Sequence, residues 1–301
     1  MNPQTQTPNF RLPFKQTFHF TRLLPNVGAS WNIDLQNQLY ATFAEGFSAP
    51  KTDDLYTSST NLVQPEVSYN YGVGYRYQTS KVTISANLWG STWQNHIIQS
   101  FDPNDPTLSI DRNVGDVQLY GLDFEAGWKP IDPLTLYASL TLMHSQLLRD
   151  YEVTASSGPD KGKSVPLPVK GKELVMTPDQ EFALRAEYTV GDLTLGVQAK
   201  YTSRRFSSDV NDDTLPRFTT VDLDAEYRIH AWGKTAVLQV NATNIFNEQY
   251  LSRVSTVSNA HPVTVPALNG APGVDTINAP SGPFFFNGAP PMVFVTLKTQ
   301  F

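Results

Sequence analysis

MVFVTLKTQF, residues 292 to 301, alternates in character as it runs to the end of the sequence. Val293, Val295, Leu297 and Phe301 fall on one side, and Thr296, Lys298 and Gln300 on the other, which is the period of two expected of a β-strand. The same pattern recurs upstream. Leu134, Leu136, Ala138, Leu140 and Leu142 share a side against Thr135, Tyr137, Ser139 and Thr141. Tyr120, Leu122, Phe124, Ala126 and Trp128 oppose Gly121, Asp123, Glu125 and Gly127, and Val221, Leu223, Ala225, Tyr227 and Ile229 oppose Asp222, Asp224, Glu226 and Arg228. A side carrying four consecutive charges must be in water. Phe182 to Val190, Tyr69 to Tyr77, Val82 to Leu88, Leu193 to Tyr201 and Ala236 to Ala242 repeat the alternation.

These segments reach the roughly 9–11 residues that a tilted strand needs to cross a bilayer, whereas ordinary strands average about 5–6. Gln78 to Lys81, Lys129 to Pro133, Val190 to Asp192 and His230 to Lys234 read as tight turns. Between them lie long polar stretches rich in Pro and Gly: Ala49 to Gln64, Gln99 to Asp111, Arg149 to Thr177, Ser207 to Pro216 and Asn247 to Pro290. Short turns on one rim and long loops on the other describe a transmembrane barrel, with periplasmic turns and extracellular loops. The expected fold is therefore all-β: a portion of an antiparallel transmembrane β-barrel of roughly 11–12 up-and-down strands from about Arg11 to Phe301. No helix is expected beyond short loop turns.

Composition agrees. The chain has 301 residues, of which 17% are charged, and no apolar run of about 18 residues that would mark a transmembrane helix. A barrel escapes that test because only alternate residues meet lipid. The aromatic content of 12% suits the girdles at the two membrane interfaces. With no Cys, thiolate metal sites, a catalytic Cys and disulfides are all excluded. A net charge of -6 argues against a nucleic-acid partner. Met1 to Pro13 lacks a basic segment followed by an apolar one, so no secretory signal is visible there. An exported barrel needs one, so the expectation is that these residues belong to a longer precursor.

Several stretches carry a family resemblance. Asn241, Ala242, Thr243, Asn244, Ile245, Phe246 and Asn247, followed by Gln249 and Tyr250, resemble the signature that precedes the last strand of TonB-dependent outer-membrane receptors. Tyr40 to Pro50, then Pro65, Glu66 and Tyr69 to Gly74, then Tyr120, Gly121, Asp123 and Glu125, then Leu215, Pro216 and Thr220 to Leu223 resemble further elements in that family's order. Thr299 departs from the pattern at a place where the family often has an aromatic. The resemblance implies that residues 1–301 are the C-terminal part of the receptor's β-barrel, with the plug and the N-terminal strands missing. It also implies TonB-energised uptake of a scarce nutrient, most often a ferric siderophore, in the bacterial outer membrane. The partners it implies are the missing plug and N-terminal barrel half, the TonB complex acting through the plug, outer-membrane lipid, and the barrel assembly machinery through Phe301. An open half-barrel would leave two strand edges in hydrocarbon at several kcal/mol per unpaired group, a total on the order of tens of kcal/mol. That exceeds the roughly 5–15 kcal/mol of net stability of a domain, so the chain must close on itself or pair with the missing half.

Little suggests chemistry, and no cofactor is expected. Asp123, Glu125, Arg185, Glu187, Asp222, Asp224, Glu226 and Arg228 read as a solvated lumen wall or a surface against the plug rather than a catalytic cluster. Asp102, Asp105, Asp111, Asp209, Asp212 and Asp213 lie in loops without EF-hand spacing, and His19, His96, His144, His230 and His261 lack metal-ligand spacing. The expectation is no enzyme, no catalytic residue and no metal. Ligand contact is expected from the loops, at Arg253, His261, Phe284, Phe285 and Phe286, because aromatic and basic groups suit aromatic, anionic chelates. The alternative use of those aromatics is to anchor a long loop on the barrel rim. A complete twelve-strand translocator such as an autotransporter domain is the other function considered, although Met1 to Pro25 is too rich in Pro for the pore-threading helix it needs. An outer-membrane hydrolase would require a Ser and His pair that the sequence does not place.

Overall fold

The computed structural model describes residues 17–50, 63–102, 105–231, 234–279 and 282–299. Eleven strands form one antiparallel wall: β1 (Asn26–Asn32), β2 (Asn37–Ser48), β3 (Glu66–Gln78), β4 (Val82–Gln94), β7 (Val117–Ile131), β8 (Leu134–Leu147), β11 (Gln180–Val190), β12 (Leu193–Thr202), β15 (Phe218–Ala231), β16 (Lys234–Thr243) and β21 (Met292–Thr299). Each is hydrogen-bonded to the next in chain order. The expected strand number and every alternating segment are thus found among the described residues. The first described strand begins at Asn26, after irregular backbone over residues 17–25, and the expected start near Arg11 lies outside the described residues. The end of the last strand, Gln300 and Phe301, lies outside the described residues, as do Met1 to Pro13 and most of the Ala49 to Gln64 loop.

The tight turns sit on one rim. Asp34 Oδ1 accepts from the Gln36 and Asn37 amides at 2.8 and 2.7 Å, which reverses the chain between β1 and β2. Thr79 Oγ1 accepts from the Val82 amide at 2.9 Å between β3 and β4, and Gly191 takes φ +56° between β11 and β12. On the opposite rim the long connections are not the plain loops their composition suggested. They fold into short hairpins: β5 (Ile97–Asp102) with β6 (Asp105–Asn113), β9 (Tyr151–Thr154) with β10 (Ser164–Leu167), β13 (Arg205–Phe206) with β14 (Thr214–Leu215), β17 (Leu251–Ser255) with β20 (Phe284–Asn287), and β18 (Val263–Pro266) with β19 (Val274–Ile277). The one helical turn among the described residues is the 3-10 segment Leu268–Gly270.

Register makes the outer surface continuous. Cross-strand rows such as Leu122 with Leu142, Phe124 with Leu140, Leu184 with Ala199, Val197 with Leu223 and Val240 with Val295 put every apolar stripe on one side. Those side chains are open: Leu184 is 53% exposed and Leu88 59%. A water-soluble sheet would cover such a stripe with a second layer, and among the described residues none does. Tyr120, His144, Phe182 and Tyr201 mark the loop-side end of the band, and Trp31, Tyr75, Trp128, Tyr188 and Tyr227 its turn-side end. The eight steps from Tyr120 to Trp128 span about 26 Å along the strand, which at a tilt of roughly 35–45° rises about 20 Å, most of an apolar band about 25 Å tall. One charge intrudes on the outward side: Glu45 lies opposite Tyr69, and Arg22, carried by the segment before β1, bonds to both at 2.6 and 3.0 Å.

The dry core sits over the loop rim instead of inside the wall. Val114, Val117, Leu147, Val165, Leu167, Val169, Val210, Val265 and Ile277 pack together there, drawn from four connections far apart in sequence. Buried polar bonds join those connections into one cap. Asp160 N–H donates to Asp275 at 2.8 Å, Asp160 accepts from the Leu268 amide at 2.8 Å, and Asp212 accepts from the Ala260 and His261 amides. Lys163, foremost, and the Leu268 amide hold the Asp160 carboxyl below its ordinary value. Burial alone would raise Asp212, yet the Ser208 hydroxyl and the two amides outweigh it and hold that carboxyl low as well. A depressed folded-state pKa stabilises above the ordinary carboxylate value and is lost as pH falls through the depressed one. The cap is therefore expected to stay closed from neutral pH to about 4 and to loosen only below that. Spin labels at Lys161→Cys and Asn269→Cys, easily placed in a Cys-free chain, would show their mean separation constant above that point and broadening under it.

Candidate functional site

Three places hold the residues of interest. The first is the β17–β20 hairpin, where Arg253 stands opposite Phe286, Val254 opposite Phe285 and Ser255 opposite Phe284. Val254 is buried, and Arg253, Phe284 and Phe286 share the opposite face of the hairpin. The three phenylalanines are between 42% and 50% exposed, and Arg253 forms no ion pair among the described residues. His261 is not part of this group. It belongs to the cap body, with its amide on Asp212 at 2.8 Å and its ring 3.5 Å from the same carboxylate. Four of the five expected ligand residues thus lie on one hairpin, and His261 lies on the cap with its side chain 72% exposed.

The second place is the lumen wall of β7, β11, β12 and β15, where the expected carboxylates and basic groups do point the same way. Arg185 donates to both oxygens of Asp224 at 2.7 and 3.0 Å, and to Glu187 at 3.1 Å. The pair spans an entire strand, which works because Gly196 of β12 lies between them. A side chain there would occupy the position of the Asp224 carboxylate. Both partners are partly solvated, so Asp224→Ala should cost only about 1 kcal/mol. Gly196→Val should cost more, about 1–3 kcal/mol, because it displaces the carboxylate without removing it. Urea titration of the two variants would rank them. The loop carboxylates Asp209, Asp212 and Asp213 are engaged by Tyr151, Ser208 and Ser207 respectively, and no group of three or more His, Asp or Glu among the described residues is arranged to hold a metal.

The third place is a recess of about 390 Å³ on the lumen side of β2, β3 and β4, which sequence reading did not find. Thr42, Asn70, Asn87, Ser91, Trp89 and Trp93 line it around Gly72. Its signal is the spacing of glycines: Gly72 and Gly121 flank Trp89 in one cross-strand row, and the indole lies over Gly121, leaving Gly72 uncovered. A larger hollow on the outward side, walled by Trp31, Leu39, Ala41, Val73 and Leu88, is apolar throughout and belongs to the lipid-facing band.

The stretch Asn241 to Tyr250 is a structural device. Asn244, buried and at φ 50°, donates to the Glu248 and Ala289 carbonyls at 3.0 Å each and accepts from the Glu248 amide at 2.8 Å. It closes the top of β16 and returns the chain to β21. Tyr250 then covers Gly288 and stacks on Phe218 with ring centroids 4.2 Å apart.

A curved antiparallel wall with an apolar outer band, a hydrated charged inner side, short turns on one rim and a folded cap on the other is the wall of an outer-membrane β-barrel. The family model described as TonB dependent receptor-like, beta-barrel, matches residues 2–245, and the chain belongs to that family. Its relatives include the ferrichrome outer membrane transporter/phage receptor of Escherichia coli (strain K12), 24% identical over 235 residues, a match covering 75% of this chain and 28% of that protein. The ferrioxamine B receptor of Salmonella typhimurium (strain SL1344) is 23% identical over 227 residues, covering 73% and 29%. Among solved structures, the siderophore receptor PiuA from Acinetobacter baumannii superposes with a TM-score of 0.66 at 17% identity, covering 91% of this chain and 35% of that one. The ferric yersiniabactin uptake receptor FyuA from Yersinia pestis gives 0.59 at 15%, covering 92% and 37%. The chain spans less than a third of the length of the curated relatives it matches. The family consists of receptors and transporters of the Gram-negative outer membrane, not of enzymes.

Proposed function

We propose that residues 1–301 form the C-terminal part of the barrel of a TonB-dependent receptor that takes up a ferric siderophore. One observation carries the reading beyond family membership: among the described residues the wall has eleven strands, and neither β1 nor β21 has a second partner. An odd number of up-and-down strands makes β1 and β21 run the same way, so direct closure would require a parallel seam. A complementary odd set of strands gives antiparallel seams on both sides and satisfies the edges that hydrocarbon would otherwise penalise. A plug inside that closed barrel would face the charged side of β7 to β15 and receive the pull of the TonB complex. Outer-membrane lipid would cover the apolar band, and the barrel assembly machinery would engage the strand that ends in Phe301. The relatives' ferrichrome and ferrioxamine B support an iron chelate as the cargo. Arg253, Phe284, Phe285 and Phe286 are the loop residues offered to it, and all three rings are 42–50% exposed.

The test is uptake of radioactive iron by iron-starved cells of the source bacterium, with the coding region of this chain intact or deleted. Loss of uptake of at least one ferric siderophore on deletion, reproduced by removing TonB, is expected. Unchanged uptake of every chelate offered would overturn the reading.

A further inference from the structure

The recess between β2, β3 and β4 lies apart from the part of the lumen wall that carries charges. On β7, β11, β12 and β15 the inward positions include Asp123, Glu125, Arg185, Glu187, Lys200, Asp222, Asp224, Glu226 and Arg228. On β3, between Glu66 and Arg76, every inward residue is neutral, and no charged side chain lines the recess. Its polar groups are incompletely used. Asn70 is occupied, donating to Ser68 at 3.1 Å and accepting from Ser91 at 2.7 Å. Asn87 and Thr42 make no hydrogen bond with the described protein. They stand on either side of Gly72, with Asn87 Oδ1 and Thr42 Oγ1 at 3.2 and 3.4 Å from where a side chain on that glycine would begin. A carboxamide and a hydroxyl left unspent across a bare glycine, beside two indoles, form a cradle for a group that both donates and accepts hydrogen bonds.

The cradle is held in shape from above. Trp93 and Leu119, which form part of its lining, pack against the hydrophobic core of the cap. Trp93 also meets the His96 ring edge-on at 4.9 Å, and His96 is fixed to Glu66 at 2.6 Å. An anionic or cationic ligand group would find no counter-charge here and would lose its water, which costs far more than desolvating a neutral amide or hydroxyl.

We infer that this recess is a binding site for an uncharged, amide- or hydroxyl-bearing arm of the transported molecule, so that the receptor handles neutral chelates in preference to anionic ones. The inference rests on the uptake reading above and narrows its substrate class. The site takes one arm of such a ligand, since about 390 Å³ is near the lower end of the roughly 300–1,000 Å³ of small-molecule sites. Asn87 and Thr42 bond to the arm, Gly72 lets it approach the backbone, and Trp89 and Trp93 cover its apolar side.

The experiment uses cells in which the chromosomal copy carries Asn87→Asp, or, as a variant that adds no charge, Thr42→Val. Two probes are compared at matched iron: a neutral ferric trihydroxamate and an anionic ferric triscatecholate. Receptor amount is followed by immunoblot of the outer membrane. Wild-type cells are expected to take up the trihydroxamate, and Asn87→Asp to raise its half-saturating concentration roughly tenfold, the weight of one lost hydrogen bond plus an unpaired charge. Thr42→Val should raise it less, with the maximal rate and receptor amount unchanged in both. Uptake of the triscatecholate alone, or unchanged trihydroxamate kinetics in both variants, would overturn the neutral site while leaving the uptake reading in place. Uptake of neither probe above that of the deletion strain would overturn the neutral site, and with unchanged uptake of every other chelate it would remove the uptake reading as well.

Discussion

Leu140→Arg should destabilise the intact receptor in phospholipid vesicles by about 2–4 kcal/mol, while Ser139→Arg, one residue away, should change it by well under 1 kcal/mol. Leu140 lies between Phe124 and Phe182 on the outward side, so an arginine there carries its charge into the acyl region near mid-membrane. Ser139 lies between Glu125 and Ala183 on the inward side, where a guanidinium meets water and a carboxylate. The contrast is informative because propensity, strand position and side-chain size are the same in both variants. Urea titration followed by tryptophan fluorescence would read it, and equal losses for the two would contradict the assignment of sides.

The second large effect is expected in the cap. Leu167 is fully buried among Val165, Val169, Leu147 and the other cap residues, and Leu167→Ala should remove about 2–5 kcal/mol of stability from that unit through lost transfer and the cavity left behind. The loss should be local. The wall keeps its ladder of backbone bonds, so trypsin should cut at Lys161, Lys163 and Lys170 much faster while the β7–β8 region stays protected. Simultaneous loss of both would mean that cap and wall fold as one cooperative unit.

The wall was legible because a membrane strand carries its environment in every second residue. Tyr120 to Trp128 and Leu134 to Leu142 declare both sides in nine residues each, and the turns at Gln78 to Lys81 and Val190 to Asp192 declare the rim. The cap was not legible for the opposite reason. Its strands have as few as two residues, and the partners of Leu167, such as Ile277, lie about a hundred positions away, so no local period reports their burial. Its Pro and Gly, read as loop composition, instead provide the turns of hairpins, as Gly158 at φ +105° does where the chain crosses Val274 and Asp275. Of the candidate ligand residues, Phe284 to Phe286 are adjacent in the sequence, whereas the pairing of Arg253 with Phe286 and the contact of His261 with Asp212 appear only once the hairpins are in register. The recess was hidden because its signal is an absence of charge and of a side chain at Gly72, which becomes a place only when β2, β3 and β4 are set in register.

The same register explains why the wall tolerates glycines that weaken a strand. Gly74 lies beneath the Tyr40 ring, which Arg76 covers in turn at 4.5 Å, and Gly90 lies beneath Tyr71. Each aromatic fills the space a neighbouring strand leaves open. Between Glu66 and Arg76 the inward side of β2 to β4 is neutral, whereas the inward sides of β7, β11, β12 and β15 carry charges.

The most direct test of the whole account is a nitroxide scan from Leu134 to Leu142 in lipid vesicles, each residue replaced singly by Cys. Molecular oxygen, which concentrates among acyl chains, should relax labels at 134, 136, 138, 140 and 142, while a water-soluble nickel chelate should relax those at 135, 137, 139 and 141. Exclusion of both reagents from the even positions would show those leucines shut in a protein interior, and the outer-membrane barrel would be the wrong structure.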